Sequence, residues 1–299
     1  KGVRFTRKEA LRYMPKTSPF LKSLFSSVLQ ANFESQLVWL LDDIADLLDR
    51  VEIDSIFQGS ESISTHSSDP VIHFYEPFLS AYDPNLKKVH GVYYTPKPVV
   101  SSLVVSIHEI LRKDLKIKDG LADTVSWREV CQVNPNWELP DSVKPDEPFI
   151  KILDPAIGTG TFIIEVINCI YRTLMEKWTS EGYGESSKSN LWAEYVDQFL
   201  IPRICGFELM VAPYVICHMR IELALRGTGY KIKRGQRLNV YLTNSLEQDR
   251  SSSMHLFPDF IAKEYSEANE IKSKRNMTVI LGNPPYSNST TKNEWIMDL

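Results

Sequence analysis

Four cysteines in 299 residues, none of them in a CxxC pair, leave this chain without a zinc-ligand framework or a disulfide scaffold. Cys169, Cys205 and Cys217 lie in apolar runs and, with Cys131, read as buried thiols of a reducing compartment. No apolar run approaches about 18 residues and no signal-peptide pattern stands at the start, so neither membrane spanning nor secretion is expected. Positive charge is not in surplus either. Lys and Arg number 34 against 38 Asp and Glu, a net charge of −4, which excludes polyanion binding by bulk electrostatics. A nucleic-acid surface must then be a local patch, or lie on sequence outside this stretch. A GxxxxGK[ST] phosphate loop is missing, which argues against an ATPase. No set of acids and lysine reads as a nuclease, no cluster reads as a metal site, and no internal repeat is visible.

What is present is enough apolar material, 43% with 11% aromatic, for a sizeable core in one large domain or two smaller ones. The chain starts at Lys1 and stops soon after Tyr286, and is expected to be a piece of a larger protein. Its most informative stretch is Gly282-Asn283-Pro284-Pro285-Tyr286, directly after the apolar run Val279-Ile280-Leu281. Such a run suits a strand buried in a parallel sheet. Two prolines lock the following corner and remove its amide hydrogens, so carbonyl oxygens dominate it. Asn283 adds a side-chain acceptor and Tyr286 a flat face. A planar exocyclic amine, such as that of adenine, needs this combination.

From the other end, the first 88 or so residues look helical. Leu37, Leu40, Leu41, Ile44, Leu47, Leu48 and Val51 form one stripe between acidic positions, expected to pack into a core. Residues 58–69 read as a loose surface loop. In Tyr94-Thr95-Pro96, Thr95 is an expected N-cap with Pro96 at the first helical position. A capped helix start offers amide hydrogens to a carboxylate. Residues 113–148 are polar and Pro-rich and carry no recognisable chemistry.

Residues 149–153 read as a strand, followed by Asp154-Pro155-Ala156-Ile157-Gly158-Thr159-Gly160 and an apolar helix start. Strand, Gly-rich turn and helix open a doubly wound nucleotide-binding sheet. The turn departs from GxGxxG by placing an acid first, which repels a pyrophosphate and suits an ammonium. Its glycines admit a ligand close to the backbone. A zwitterionic amino acid joined to a nucleoside fits, and S-adenosylmethionine is such a molecule. After a polar insertion at 178–195, residues 203–208 form the second strand, ending in Glu208, where a ribose-binding acid belongs. His218 on the next helix reads as a core histidine. Lys231, Lys233, Arg234 and Arg237 mark a basic turn, solvated or, alternatively, facing DNA. The third strand, 238–242, leads to Asn244, which can both donate to and accept from an adenine edge. Asp154, Glu208, Asn244 and Asn283 are thus expected along one rim of one sheet.

These residues resemble the gamma-class amino-methyltransferases of adenine in DNA. The order is that of the class: Tyr94-Thr95-Pro96, then Asp154 to Gly160, then Asn283-Pro284-Pro285-Tyr286. From Asp69 to Leu246 the text looks like the methyltransferase part of Type ISP restriction–modification enzymes. The motifs are His73-Phe74-Tyr75-Glu76, Ala81-Tyr82-Asp83-Pro84, Gly91 to Pro96, Gly206 to Met210 with Ala212-Pro213-Tyr214, and Tyr241 to Leu246. The resemblance implies a Rossmann-like α/β fold with a helical coupler-like segment, 1–88, ahead of a methyltransferase core, 89–299. It implies that Thr95 and Pro96 touch the methionine part of S-adenosylmethionine. Asp154, Gly158 and Gly160 would hold its amino-acid end, Glu208 its ribose and Asn244 its adenine. Asn283 and the Pro284 carbonyl would accept from the target amine, with Tyr286 stacked on the flipped base. It further implies double-stranded DNA as partner, helicase and nuclease domains in the same polypeptide, and a cytoplasmic location. Family members continue into a target-recognition domain that these 299 residues do not contain, so the piece alone is expected to bind cofactor more readily than to methylate. Asn-Pro-Pro-Tyr also occurs in methyltransferases of protein glutamine and of RNA bases. A docking module with a dead pocket is the non-enzymatic alternative.

Overall fold

The structure, a computed structural model, describes residues 15, 17–30, 35–50, 95–233, 235–246, 259–274 and 276–284. Four short strands form its centre: β1 (Ile152–Asp154), β2 (Ile204–Glu208), β3 (Asn239–Leu242) and β4 (Val279–Ile280). All three pairings are parallel, in the spatial order β3-β2-β1-β4. Ile152 stands opposite both Ile204 and Val279, so the strands are in step and their C-terminal ends share one edge.

The sheet is covered on both faces, which is why its strands read as apolar runs rather than as strict alternation. Ile152, Ile204 and Val240 join the large core built on α5 (Thr161–Ser180) and α7 (Val211–Gly227). Leu153, Cys205, Phe207 and Tyr241 turn to the other face, against Ala268 and Ile271 of α8 (Asp259–Lys274). The period-two division between the faces is the pleat of each strand made visible. Helices on two sides of a parallel sheet make this an α/β Rossmann-like fold, as the sequence suggests.

Three other stretches complete the core. The helix α3 (Lys97–Lys113) packs on α5 through Val100, Val104 and Leu111. Within the polar 113–148 stretch, Ser126 and Glu129 close a capping box on α4 (Trp127–Val133), and Trp127, Val130 and Val143 enter the core. The expected insertion is also helical: α5 runs on to Ser180, and α6 (Glu185–Tyr195) leads into a π-helical turn, Val196–Leu200. Trp192 and Tyr195, one turn apart, anchor α6 although most of its other residues are polar.

Near the N-terminus lie α1 (Pro19–Gln30) and α2 (Ser35–Arg50). The start of α1 belongs to the same core as the sheet. Leu21 is fully buried, and Phe20 meets the rings of Tyr214 and Phe260 at 5.8 and 5.6 Å. Two bonds add to this: Ser18 Oγ lies 2.9 Å from Tyr214 Oη, and Leu238 N donates to Thr17 O. Of the stripe expected to pack on α2, Ile44 and Leu47 are 46% and 63% exposed, while the side chains of Leu37, Leu40, Leu41 and Leu48 lie outside the description. Val51, the 58–69 loop and the motifs between His73 and Tyr94 lie outside the described residues.

Candidate active site

Sheet order decides where a ligand can sit. From β1 the chain steps outward through β2 to β3, then returns to place β4 on the opposite side of β1. The C-terminal ends of β1 and β4 therefore flank a topological switch point, where crossovers leave in opposite directions and open a crevice. Asp154 ends β1, and Gly282-Asn283-Pro284 follows β4. They are in close contact, since a Cβ built on Gly282 would come 2.5 Å from Asp154 Oδ1. Only glycine fits there. The expected rim is found, in the spatial order Asn244, Glu208, Asp154, Asn283.

Asp154 is completely buried. Oδ1 accepts from Ala156 N at 3.1 Å, whereas Oδ2 has no hydrogen-bond partner among the described residues. Burial, with Glu208 adding repulsion, pushes the carboxyl up to about 7. An orphaned buried acceptor is costly in isolation, and a cationic donor would satisfy it. That fits an ammonium group and disfavours a phosphate.

The Gly-rich turn is held from β2. Ile157 N donates to Phe207 O and Gly158 N to Glu208 Oε2, both at 2.9 Å. Glu208 Oε1 accepts from Met210 N at 2.8 Å. Burial raises the Glu208 carboxyl, opposed by these amide bonds. Glu208 thus also staples the turn to the second strand, a role its spacing does not reveal. Gly158 and Gly160 both take positive φ, +56° and +84°, which side chains rarely tolerate. Gly206 has no room for a Cβ either, because Ile157 lies directly over it.

Beyond β3, Asn244 Oδ1 accepts from Leu246 N at 3.0 Å, and the Asn244 carbonyl accepts from Lys272 Nζ at 2.6 Å. Ser245 Oγ donates to Pro155 O, which ties this loop to the turn after β1. With Oδ1 committed to a local turn, Asn244 presents its amide chiefly as a donor.

Thr95 is not the N-cap. That position is Pro96, with Lys97 as the first helical residue and Pro98 as the second. The Thr95 hydroxyl is taken up elsewhere, accepting from Asn283 Nδ2 at 3.1 Å. Pro96 O accepts from Val99 N and Val100 N, and Pro98 has no amide hydrogen, so the helix start has little to offer a carboxylate. The bond joins the two motifs directly, and it fixes the Asn283 amide with its carbonyl edge turned from Thr95. Pro284 is exposed; Pro285 and Tyr286 lie outside the described residues.

His218 is a core residue, fully buried, with Nδ1 3.2 Å from Thr17 Oγ1; burial lowers its pKa to about 3. The basic turn is partly internal. Lys233 pairs with Asp197, and Arg237 pairs with Glu264 and Glu267 while lying on the Tyr241 ring. Arg234 lies outside the described residues. Among the described residues no group of acids, histidines and cysteines could hold a metal, and no helix is long and apolar enough to cross a membrane.

Comparison with solved structures agrees on the fold. A DrdV–DNA complex determined by cryo-electron microscopy matches 93% of this chain with TM-score 0.56 and 20% identity. The ATP-dependent Type ISP restriction-modification enzyme LlaBIII bound to DNA matches 95%, at 0.58 and 19%. A nuclease-deletion mutant of the Type ISP enzyme LlaGI with a DNA substrate mimic matches 96%, at 0.54 and 18%. This chain spans only 22%, 16% and 20% of their respective lengths. No curated protein matches. The N-6 DNA Methylase family model matches residues 141–298, more than half of the chain and the whole sheet from β1 to the Asn283 corner, and the chain belongs to that family.

Proposed function

We propose that this chain is the cofactor-binding and catalytic core of an enzyme that methylates the N6 amine of adenine in double-stranded DNA. The carrying observation is the junction at the switch point, where the acidic turn after β1 touches the corner after β4 and Thr95 is bonded to Asn283. Cofactor and target amine would meet there. When bound, S-adenosylmethionine would supply an electrophilic methyl group on a sulfonium, the C–S bonding pair staying on sulfur as a neutral thioether and the methylated amine giving up one proton.

The chain's own residues divide the remaining work. Asp154 accepts from the ammonium of the cofactor, while Gly158 and Gly160 bring backbone close to its amino-acid end. Glu208 keeps lone pairs for the ribose hydroxyls beside its two amide bonds, and Asn244 donates to the adenine ring. Thr95 and Pro96 border the methionine part, with Thr95 also orienting Asn283. The target amine is a poor nucleophile because its lone pair is delocalised into the ring. Asn283 Oδ1 and the Pro284 carbonyl accept from its two N–H groups, draw it towards tetrahedral geometry and disperse the positive charge growing on nitrogen. Holding amine and methyl in line supplies the rest. Tyr286 stacks on the base, which must leave the duplex to be reached.

In the same reading, residues 1–88 carry a coupler-like segment and 89–299 the methyltransferase core. DNA is engaged together with the rest of a longer cytoplasmic polypeptide that includes helicase and nuclease domains of a restriction–modification system. The structural neighbours LlaBIII and LlaGI, Type ISP restriction-modification enzymes seen with DNA or a DNA substrate mimic, support it. Isothermal titration of the purified chain with S-adenosylmethionine, S-adenosylhomocysteine and NAD tests the cofactor part. The first two should bind and NAD should not, since Asp154 at the head of the turn repels a pyrophosphate; tight NAD binding would overturn the assignment.

A further inference from the structure

The Gly-rich turn has a second support, from the helix behind it, that none of the motifs contains. Arg220, on α7, is 5% exposed. One of its terminal nitrogens donates to the Thr159 carbonyl, to Thr159 Oγ1 at 2.9 Å and to Thr161 Oγ1 at 3.3 Å. Thr159 separates the two glycines and Thr161 is the first residue of α5, so a single guanidinium spans the turn and the helix start. The same helix closes the turn's underside. A Cβ on Gly160 would stand 2.9 Å from Cys217 Sγ and 3.6 Å from Ile221 Cγ1.

A cation beneath a helix N-terminus opposes the helix dipole, and its burial is expensive, so packing alone does not account for it. Its setting does. Burial pushes the Cys217 thiol well up; Arg220 opposes that shift, while Asp154 and Glu208 add to it. Cys217 itself lies against Gly160, so Cys217 and Arg220, one turn apart on α7, together back the turn to which a zwitterion's amino-acid end would be presented.

We propose that Arg220 is a positioning residue for the cofactor turn, holding Thr159 so that Gly158 and Gly160 keep the left-handed backbone that receives the amino-acid end of the cofactor. The inference rests on the cofactor reading above. Arg220 acts from behind the backbone through Thr159 and Thr161.

The test compares two ligands on this chain: S-adenosylhomocysteine, and 5′-methylthioadenosine, which has the nucleoside but no amino-acid end. Arg220→Met should weaken S-adenosylhomocysteine at least about tenfold, the loss expected when a charge-assisted bond is removed. The nucleoside should be far less affected. Arg220→Lys keeps the charge with a different reach and should recover part of the loss. It also carries the test if Arg220→Met does not fold. Arg203→Met is the control. Arg203 is equally buried, but at the opposite end of the sheet, where it bonds Phe199 O, Asp123 O and Tyr195 Oη. It should lower the melting temperature and leave the ratio of the two affinities unchanged. Equal losses for both ligands in the Arg220 variants, or no loss, would overturn the positioning role. If the wild-type chain binds neither ligand, the cofactor reading falls and this inference with it.

Discussion

Replacing Asp154 with Asn should make the chain more stable at alkaline pH and unable to hold its cofactor. A carboxyl raised from 3.8 to about 7 keeps a proton in the folded state that the unfolded chain has already released. Wild-type stability therefore falls as pH rises through that window, and the full cost at high pH is about 4 kcal/mol, at ~1.36 kcal/mol per pKa unit. Asn removes the ionisation and still accepts from Ala156 N through Oδ1. It also puts an amide donor where Oδ2 was, and an unmet donor costs about 1–3 kcal/mol. The net gain at high pH is roughly 1–3 kcal/mol by the same two figures.

The pH-dependent part is the sharper quantity, because the amide's cost cancels from it. Between about pH 5 and pH 8 the stability difference between variant and wild type should widen by roughly 2–3 kcal/mol. Denaturant titrations of both proteins at the two pH values measure it. S-adenosylmethionine should bind the wild type more tightly as pH rises from about 6 to 7.5, below the range near 8 where an α-amino group loses its proton. The variant should lack that trend along with most of the affinity. A stability difference independent of pH would mean that Asp154 carries no buried charge. Wild-type affinity in the variant would remove Asp154 from the ammonium site.

Two further substitutions probe the turn and the link between motifs. Gly206→Ala places a methyl group under Ile157, 3.2 Å from its Cβ and Cγ1, and should cost about 1–3 kcal/mol of stability as overpacking does. Cofactor affinity should fall with it, because Ile157 carries the turn; denaturation and titration of the same sample read both. Thr95→Val removes the acceptor for Asn283 Nδ2. With a net hydrogen-bond value of about 1 kcal/mol, methyl transfer by the full-length parent should slow roughly fivefold at unchanged folding.

Much of the rim is legible in the chain because a strand buried on both faces is a short apolar run, and its polar successor marks the C-terminal end. Asp154, Glu208, Asn244 and Asn283 each stand at or just beyond such an end. Their spatial order is not legible, since nothing local in Val279-Ile280 says that β4 lies beside β1 and on the far side from β2. That order makes Asp154 and Gly282 neighbours. Arg220 gives no signal either: it adjoins Ile221 on a helix whose buried residues do not form one clean stripe, and only the fold brings it under Thr159. The Thr95 expectation fails for a related reason. A Thr before Pro suits an N-cap locally, but a partner 188 residues away takes the hydroxyl. On α2 the periodicity predicts a helix correctly, and Ile44 and Leu47 of its stripe stand exposed, because an apolar stripe states that a face can be buried without stating what covers it. In α6, Trp192 and Tyr195 supply the packing inside text that composition marks as a polar insertion.

The central claim is that the corner after β4 accepts from the amine that receives the methyl group, and Asn283→Ala in the full-length parent tests it most directly. The measurement is single-turnover transfer to an adenine-containing duplex, with cofactor affinity followed on the same preparation. Because the charge that Asn283 meets develops only as the methyl arrives, losing this preorganised acceptor should cost ~10²–10³ in rate. Cofactor affinity should stay unchanged. Transfer at the wild-type rate by a folded, cofactor-bound variant would contradict the account and leave the Asn283 corner a structural turn.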